Sequence, residues 1–251
     1  MIRVAINGFG RIGRIAFREM ITGRDFDIVA VNDLSNAEEL AYLLKYDTNH
    51  RSFHEDEISF DNDNIVIAGK KRVKVLSEAD PSKLPWEKLN IDVVLECSGR
   101  FTKYEDAYKH ITAGARHVVI SAPGKGDMKT IVYGVNDSIL DGSEEVISAA
   151  SCTTNCLAPV LDVIEKNIGI RKGYMSTVHA YTNDQATLDI HHSKGIMARR
   201  GRACAQNIVP ASTGAASAIG KVIPSLLGKM DGMAFRVPVS CGSVVDLTLE
   251  L

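Results

Sequence analysis

Residues 2–22 read IRVAINGFGRIGRIAFREMIT. The run from Ile2 to Ile6 is short, apolar and largely β-branched, which predicts a strand. Asn7 follows at once, then Gly8, Phe9, Gly10, Arg11, Ile12 and Gly13, after which apolar residues recur at helical spacing. A second apolar run, FDIVAVND at 26–33, ends in Asp33 with Leu34 next, and Asp33 follows Gly13 by twenty positions. Strand, G-x-G-x-x-G, helix, strand and terminal acid is the order of a dinucleotide-binding βαβ unit. Gly8 permits the tight turn, Gly10 lets backbone N–H groups approach a pyrophosphate, and Gly13 lets the helix pack close to the strand. The helix N-terminus offers its dipole and free N–H groups to the phosphates. Asp33 is placed to accept from a ribose 2′-hydroxyl and would repel a 2′-phosphate, so NAD is favoured over NADP.

The same alternation continues. NIVIAG at 64–69 and KRVKVLS at 71–77 predict a hairpin-like pair. IDVVLECSG at 91–99 predicts a buried strand ending in Ser98 and Gly99, and EDAYKHITAG at 105–114 a helix stopped by Gly114. RHVVISAP at 116–123 predicts a further strand that ends near Ser121. Small residues at the carboxyl ends of parallel strands are where such sheets bind ligands. The expectation is an α/β chain: a Rossmann-type doubly wound sheet over 1–150, with a change of domain near residue 150.

The 251 residues carry a formal net charge of −2, and 45% are hydrophobic. That balance favours a soluble globular chain and gives no support to nucleic acid or a membrane surface as the main partner. No apolar run approaches the roughly 20 residues that span a bilayer. MIRVAINGFG lacks the order of a signal peptide, so a cytoplasmic location is expected. The five cysteines are odd in number and scattered, which suits a reducing compartment, and C-x3-C is not zinc-knuckle spacing, so no metal is expected.

That C-x3-C lies in VISAASCTTNCLAP at 146–159. After Cys152, apolar residues at 156, 157, 160, 161 and 164 form one helical face that stops near Gly169. Cys152 therefore sits at a helix N-terminus, where partial positive charge lowers a thiol pKa. Cys156 falls one turn deeper on the apolar face and reads as a packing residue. A nucleophile needs a base. His179, at the end of the strand-like YMSTVHAYTND at 174–184, has Thr177, Thr182 and Asp184 for company.

INGFGRIGR, ASCTTNCLAP, STVHAYTNDQ, TGAA and FRVPV…SVVDLT together closely resemble phosphorylating glyceraldehyde-3-phosphate dehydrogenases, in the same order along the chain. The resemblance implies that Cys152 attacks the aldehyde carbon to form a thiohemiacetal, and that His179 activates the thiol and takes the hydroxyl proton. Cys152 N–H and His179 would stabilise the oxyanion. It implies NAD at Asn7, Gly8, Phe9, Gly10, Arg11, Ile12, Gly13, Asp33, Leu34, Ser98, Gly99 and Ser121. Thr182, Asp184 and Arg236 would hold the substrate phosphate; Ser151, Thr153, Arg200, Thr213 and Gly214 would hold inorganic phosphate. The partners implied are glyceraldehyde 3-phosphate, phosphate and further copies of the chain in a homotetramer.

Two positions depart from the family pattern. Ala149 replaces a common asparagine, and His191 stands where NAD-specific members usually carry proline. The resemblance implies an α+β catalytic domain over 151–251. Because the chain stops at SVVDLTLEL, in mid-strand pattern, that domain is expected to be incomplete and the chain a fragment or a truncated form with an exposed apolar sheet edge. The competing expectations are erythrose-4-phosphate dehydrogenase, and an NAD-binding chain without catalysis.

Overall fold

The computed structural model describes residues 1–193, 195 and 197–251. Two compact units emerge: Met1–Ile131 with Leu140–Ala150, and Val132–Ile139 with Ser151–Leu251.

The first unit is built on an eight-stranded sheet. In chain order its elements are β1 (Ile2–Asn7), α1 (Arg11–Thr22), β2 (Phe26–Asn32), α2 (Ala37–Lys45), β3 (Ile58–Asp61), β4 (Asn64–Ile67), β5 (Lys71–Leu76), β6 (Val93–Glu96), α3 (Tyr104–Ala107), α4 (Lys109–Thr112), β7 (His117–Ile120) and β8 (Val146–Ser148). The strand order is β3-β4-β5-β2-β1-β6-β7-β8. From β5 to β8 every neighbouring pair is parallel, while β3, β4 and β5 form an antiparallel edge. β1 lies between β2 and β6, so the crevice between β1 and β6 is where the winding reverses, the place at which such sheets take their ligand. Both faces are covered, as the continuous apolar strands require. Ile6, Phe17, Ile28, Val31, Leu40 and Leu44 fill one side, and Ala5, Ala30, Trp86, Val94, Val118 and Ile120 the other.

Each helix has a local reason for its limits. α2 starts at a reciprocal box in which the Asn36 side chain accepts from the Glu39 N–H and Glu39 reaches back to the Asn36 N–H. Arg18, buried on α1, donates to the carbonyls of Leu44, His50 and Arg51 and lies over the Phe53 ring at 5.0 Å, which ties α1 to the turn after α2. The expected single helix over 105–114 is instead two short segments, α3 and α4, that meet at Tyr108. The expected stop at Gly114 is present: its φ is +101° and an added Cβ would lie 2.4 Å from Glu87.

The second unit contains α5 (Cys152–Asn167), β9 (Lys172–Ala180), β10 (Val209–Ser212), α6 (Ala215–Val222), β11 (Met230–Val237) and β12 (Ser243–Glu250). Its sheet order is β10-β11-β9-β12, with β11 and β9 parallel and the outer pairs antiparallel. α5 and α6 lie together on one face, against β12 and β11. The period of two in β9 turns Met175, Thr177 and His179 to that covered face and leaves Tyr174 and Val178 exposed. No helix among the described residues is long and apolar enough to cross a membrane.

The glycine turn generates a stability prediction. A Cβ on Gly13 would lie 2.2 Å from the Gly8 carbonyl oxygen, whereas one on Gly10 meets nothing within 4 Å. Gly13→Ala is expected to lower unfolding free energy by about 2 kcal/mol, and Gly10→Ala by less than about 1 kcal/mol. Urea unfolding midpoints of the two variants beside the parent check the contrast.

Candidate active site

The residues singled out in the sequence fall into two sets, one in each unit. In the first, the chain turns from β1 into α1 through Gly8, whose φ of +90° favours glycine. A Cβ there would also strike Ser98 N at 2.4 Å. The loop after β1 is thus pressed against the loop after β6. α1 begins at Gly10 with no side chain capping it, so its first N–H groups face outward in open space. Uncapped donors, a glycine with room above it and a helix dipole make a cradle that fits a pyrophosphate, and the residues present suit a dinucleotide. Ile12 and Leu34 stand exposed beside this turn.

Asp33 is partly engaged already: one oxygen accepts from Phe9 N–H at 2.8 Å and the other from Ser35 N–H at 3.3 Å. The carboxylate therefore holds the glycine loop, with lone pairs left for a ribose hydroxyl. Arg11 turns from the crevice to pair with Asp47. The Asn7 side chain also points inward, donating to Glu96 at 2.5 Å and accepting from Asn32 at 2.7 Å. Ser98 N–H and hydroxyl both donate to Glu96, and Ser121 N–H donates to the Glu96 carbonyl. Gly99 has open space above its Cα. Neither Glu96 nor His110 is singled out by the sequence patterns; the acid inside the apolar run VVLE is the available signal.

In the second unit Ser151 caps α5, its hydroxyl accepting from Thr154 N–H at 3.0 Å, and Cys152 is the first helical residue. The thiol lies 3.5 Å from His179 Nε2. His179 itself is buried, and its Nδ1 lies 2.6 Å from the Ala180 carbonyl oxygen. A carbonyl only accepts, so Nδ1 carries a proton and Nε2 is the nitrogen presented to sulfur. This contact draws the Cys152 pKa down to about 7; burial opposes it, and Thr153 assists. The Ala180 carbonyl anchor is a backbone contact for which no residue type in the sequence is a sign.

Around the pair stand cations and hydroxyls. Arg236 is the partner of His179 across β11 and β9, and its Nη1 donates to the same Ala180 oxygen at 3.1 Å and to Thr182 Oγ1 at 3.2 Å. Burial lowers the Arg236 pKa, and Arg200 adds to that effect. Arg200 pairs with Asp184 and donates to the Ser212 carbonyl at 3.3 Å. Thr213 accepts from Ala215 N–H at the start of α6, where Gly214 is the N-cap. The structure thus gathers Cys152, His179, Thr182, Asp184, Arg200 and Arg236 into one unit. Asp184 spends its charge on Arg200, which bears on any role with an anion.

Cys156 corrects an expectation. It is exposed, as are Val160 and Val163, and α5 buries Thr153, Thr154, Leu157, Ala158 and Leu161 instead. The buried stripe is rotated toward the two threonines. The Ser151 hydroxyl meets Thr154 Oγ1 at 2.7 Å, so a polar side chain can enter the covered face without an apolar residue in its place.

The depressed thiol has a direct consequence. A group with a lowered pKa is ionised above it, so alkylation of Cys152 by iodoacetamide should rise with pH and level off with an inflection near 7. His179→Asn removes the largest lowering influence. It should move the inflection up toward the ordinary thiol value of about 8.5 and slow alkylation at neutral pH roughly tenfold. A mass-spectrometric pH–rate profile for that residue measures both.

Comparison with known proteins places these two sets in one family. Residues 2–104 match the family model described as "Glyceraldehyde 3-phosphate dehydrogenase, NAD binding domain", and residues 151–251 match the "C-terminal domain" of the same name. A glyceraldehyde-3-phosphate dehydrogenase of Clostridium pasteurianum is 58% identical over 247 residues, covering 98% of this chain and 73% of its own. Those of Clostridium acetobutylicum and Streptomyces coelicolor are 56% and 53% identical, each over 100% of this chain and 74% of theirs. With both units matched and identity above half across its whole length, the chain belongs to the glyceraldehyde-3-phosphate dehydrogenase family.

Proposed function

We propose that this chain oxidises D-glyceraldehyde 3-phosphate to 1,3-bisphosphoglycerate with NAD and inorganic phosphate, as a glycolytic-type enzyme of the cytoplasm. The observation that carries the reading is the Cys152–His179 contact at the N-terminus of α5, with the imidazole fixed by the Ala180 carbonyl. At neutral pH a pKa of about 7 leaves a large share of the thiol ionised. The thiolate bonds to the aldehyde carbon and the carbonyl electrons move to oxygen, giving a thiohemiacetal. Its oxyanion is met by the Cys152 N–H, one of the donors of the first helical turn, and by His179, whose Nε2 returns to it the proton taken from the thiol, giving the hydroxyl.

Free again at Nε2, His179 takes that hydroxyl proton back as hydride leaves, and a tautomer with Nδ1–H anchored is the one that can do so. Bound NAD supplies the hydride acceptor, and the glycine turn with Asp33 is where this chain would hold it. Loss of hydride and proton leaves a thioester on Cys152. Inorganic phosphate attacks the acyl carbon, the C–S bond breaks, and Cys152 departs as the thiolate with which it began.

Two anions need cationic, hydroxylic ground. Arg236 and Thr182 are joined by a hydrogen bond and form one such pair; Arg200, with Thr213 and Gly214 at the start of α6, forms the other. Asp184 takes part through Arg200, which it orients, rather than by touching an anion. Ser151 and Thr153 hold the helix start and the thiol environment. The exposed outer face of the second sheet, with Tyr174, Val178 and Val244, supports a homotetrameric assembly.

The reading is tested by following NADH at 340 nm for the purified chain given glyceraldehyde 3-phosphate, with and without phosphate. NADH formation that depends on phosphate and falls at least about 10³-fold in Cys152→Ser is expected. Phosphate-independent oxidation that runs faster on erythrose 4-phosphate would replace this assignment with the other sugar-phosphate dehydrogenase.

A further inference from the structure

Glu96 ends β6 and is almost fully buried, and it sits on the path of a directed chain of hydrogen bonds. Its Oε2 receives Asn7 Nδ2 at 2.5 Å and His110 Nε2 at 3.1 Å. Its Oε1 receives Ser98 N–H at 2.8 Å and the Ser98 hydroxyl at 2.5 Å. Four donors thus meet one carboxylate, a number that an acceptor-only ionised group can satisfy.

The directions are fixed from both ends. Trp86 Nε1–H can only donate, and it lies 2.9 Å from His110 Nδ1, so His110 Nε2 carries the proton that meets Glu96. On the other side Asn7 must turn its amide nitrogen to Glu96, which leaves Asn7 Oδ1 to accept from Asn32 Nδ2 at 2.7 Å. Asn32 Oδ1 in turn accepts from Glu78 N–H at 2.9 Å. The bonds through Asn7 and His110 thus point toward Glu96, while Asn32 Nδ2 donates in addition to the Glu78 carbonyl at 2.8 Å.

The two oxygens divide between two loops. Asn7 immediately precedes the Gly8 turn after β1, and Ser98 belongs to the loop after β6. Those loops already touch, since a Cβ on Gly8 would lie 2.4 Å from Ser98 N. β1 and β6 are also the strands that flank the reversal of winding. We propose that Glu96, oriented by His110 and Trp86, is a positioning residue for the dinucleotide: it sets the spacing and orientation of the two loops that border the cofactor crevice without touching the cofactor. This inference rests on the reading that the glycine turn holds NAD.

Glu96→Gln keeps the shape and brings one amide N–H₂ against a donor, whichever way it turns, so one loop must give. Titration calorimetry of the full chain with NAD, performed well below the unfolding midpoints of parent and variant, reads the effect. At such temperatures the folded population is complete, and lost stability alone leaves the dissociation constant unchanged. About tenfold weaker NAD binding is expected. A folded Glu96→Gln chain that binds NAD within twofold of the parent overturns the proposal. Should that variant fail to fold, Trp86→Phe decides: it removes the N–H that fixes His110 together with part of a buried ring. Titration below its own unfolding midpoint separates the lost packing from binding; about threefold weakening is expected, and an unchanged constant overturns the proposal. A parent chain that takes up no NAD in the same titration refutes the cofactor reading itself, and this inference with it.

Discussion

The first unit depends on one backbone contact. The Cα of Gly13 approaches the carbonyl oxygen of Gly8 so closely that no side chain fits between them. That approach lets α1 start directly above the end of β1, and it aims the helix N-terminus at the crevice beside β6. Asp33 then closes the turn by accepting the Phe9 N–H. From this arrangement follow the parallel order of the strands, the helices on both faces, and an uncapped helix end available to an anion. The glycines thus serve different ends: Gly8 and Gly13 are set by contacts within the chain, and Gly10 by space left for something outside it.

The second unit depends on an equally local device of another kind. A helix start and a strand end meet so that one imidazole nitrogen faces sulfur while the other is held by a main-chain oxygen. Because Arg236 donates to that same oxygen, the imidazole of His179 and the guanidinium of Arg236 share an anchor. A shift of one would be felt by the other, and a carbonyl with two lone pairs can serve both. His179 is the foremost cause of the lowered thiol pKa, working against partial burial.

Much of this was legible in the residues. The βαβ pattern with its glycines and acid marked the first sheet, since glycine is demanded by sterics and leaves a trace in spacing. Cys152 before a helical pattern, and His179 at a strand end among hydroxyls, were likewise legible as the helix start and strand end that the structure brings to 3.5 Å of each other. Periodicity was less reliable where polar side chains are satisfied locally. The stripe through Cys156 suggested burial, yet Thr153 and Thr154 occupy the covered side because the Ser151 cap satisfies Thr154. The helix over 105–114 similarly breaks in two at Tyr108.

The sequence by itself determined the alternation of elements, the glycine turn and the place of Cys152 at a helix start, because each follows from neighbours a few positions apart. Only the tertiary structure decided the partners that lie far along the chain: Asn7 with Glu96, Glu96 with Trp86 through His110, and His179 beside Arg236. Hydrogen-bond direction is the physical reason. A buried acid, amide or imidazole can be read as isolated in the sequence, but the fold must supply each donor with an acceptor, and that pairing is a property of three-dimensional proximity.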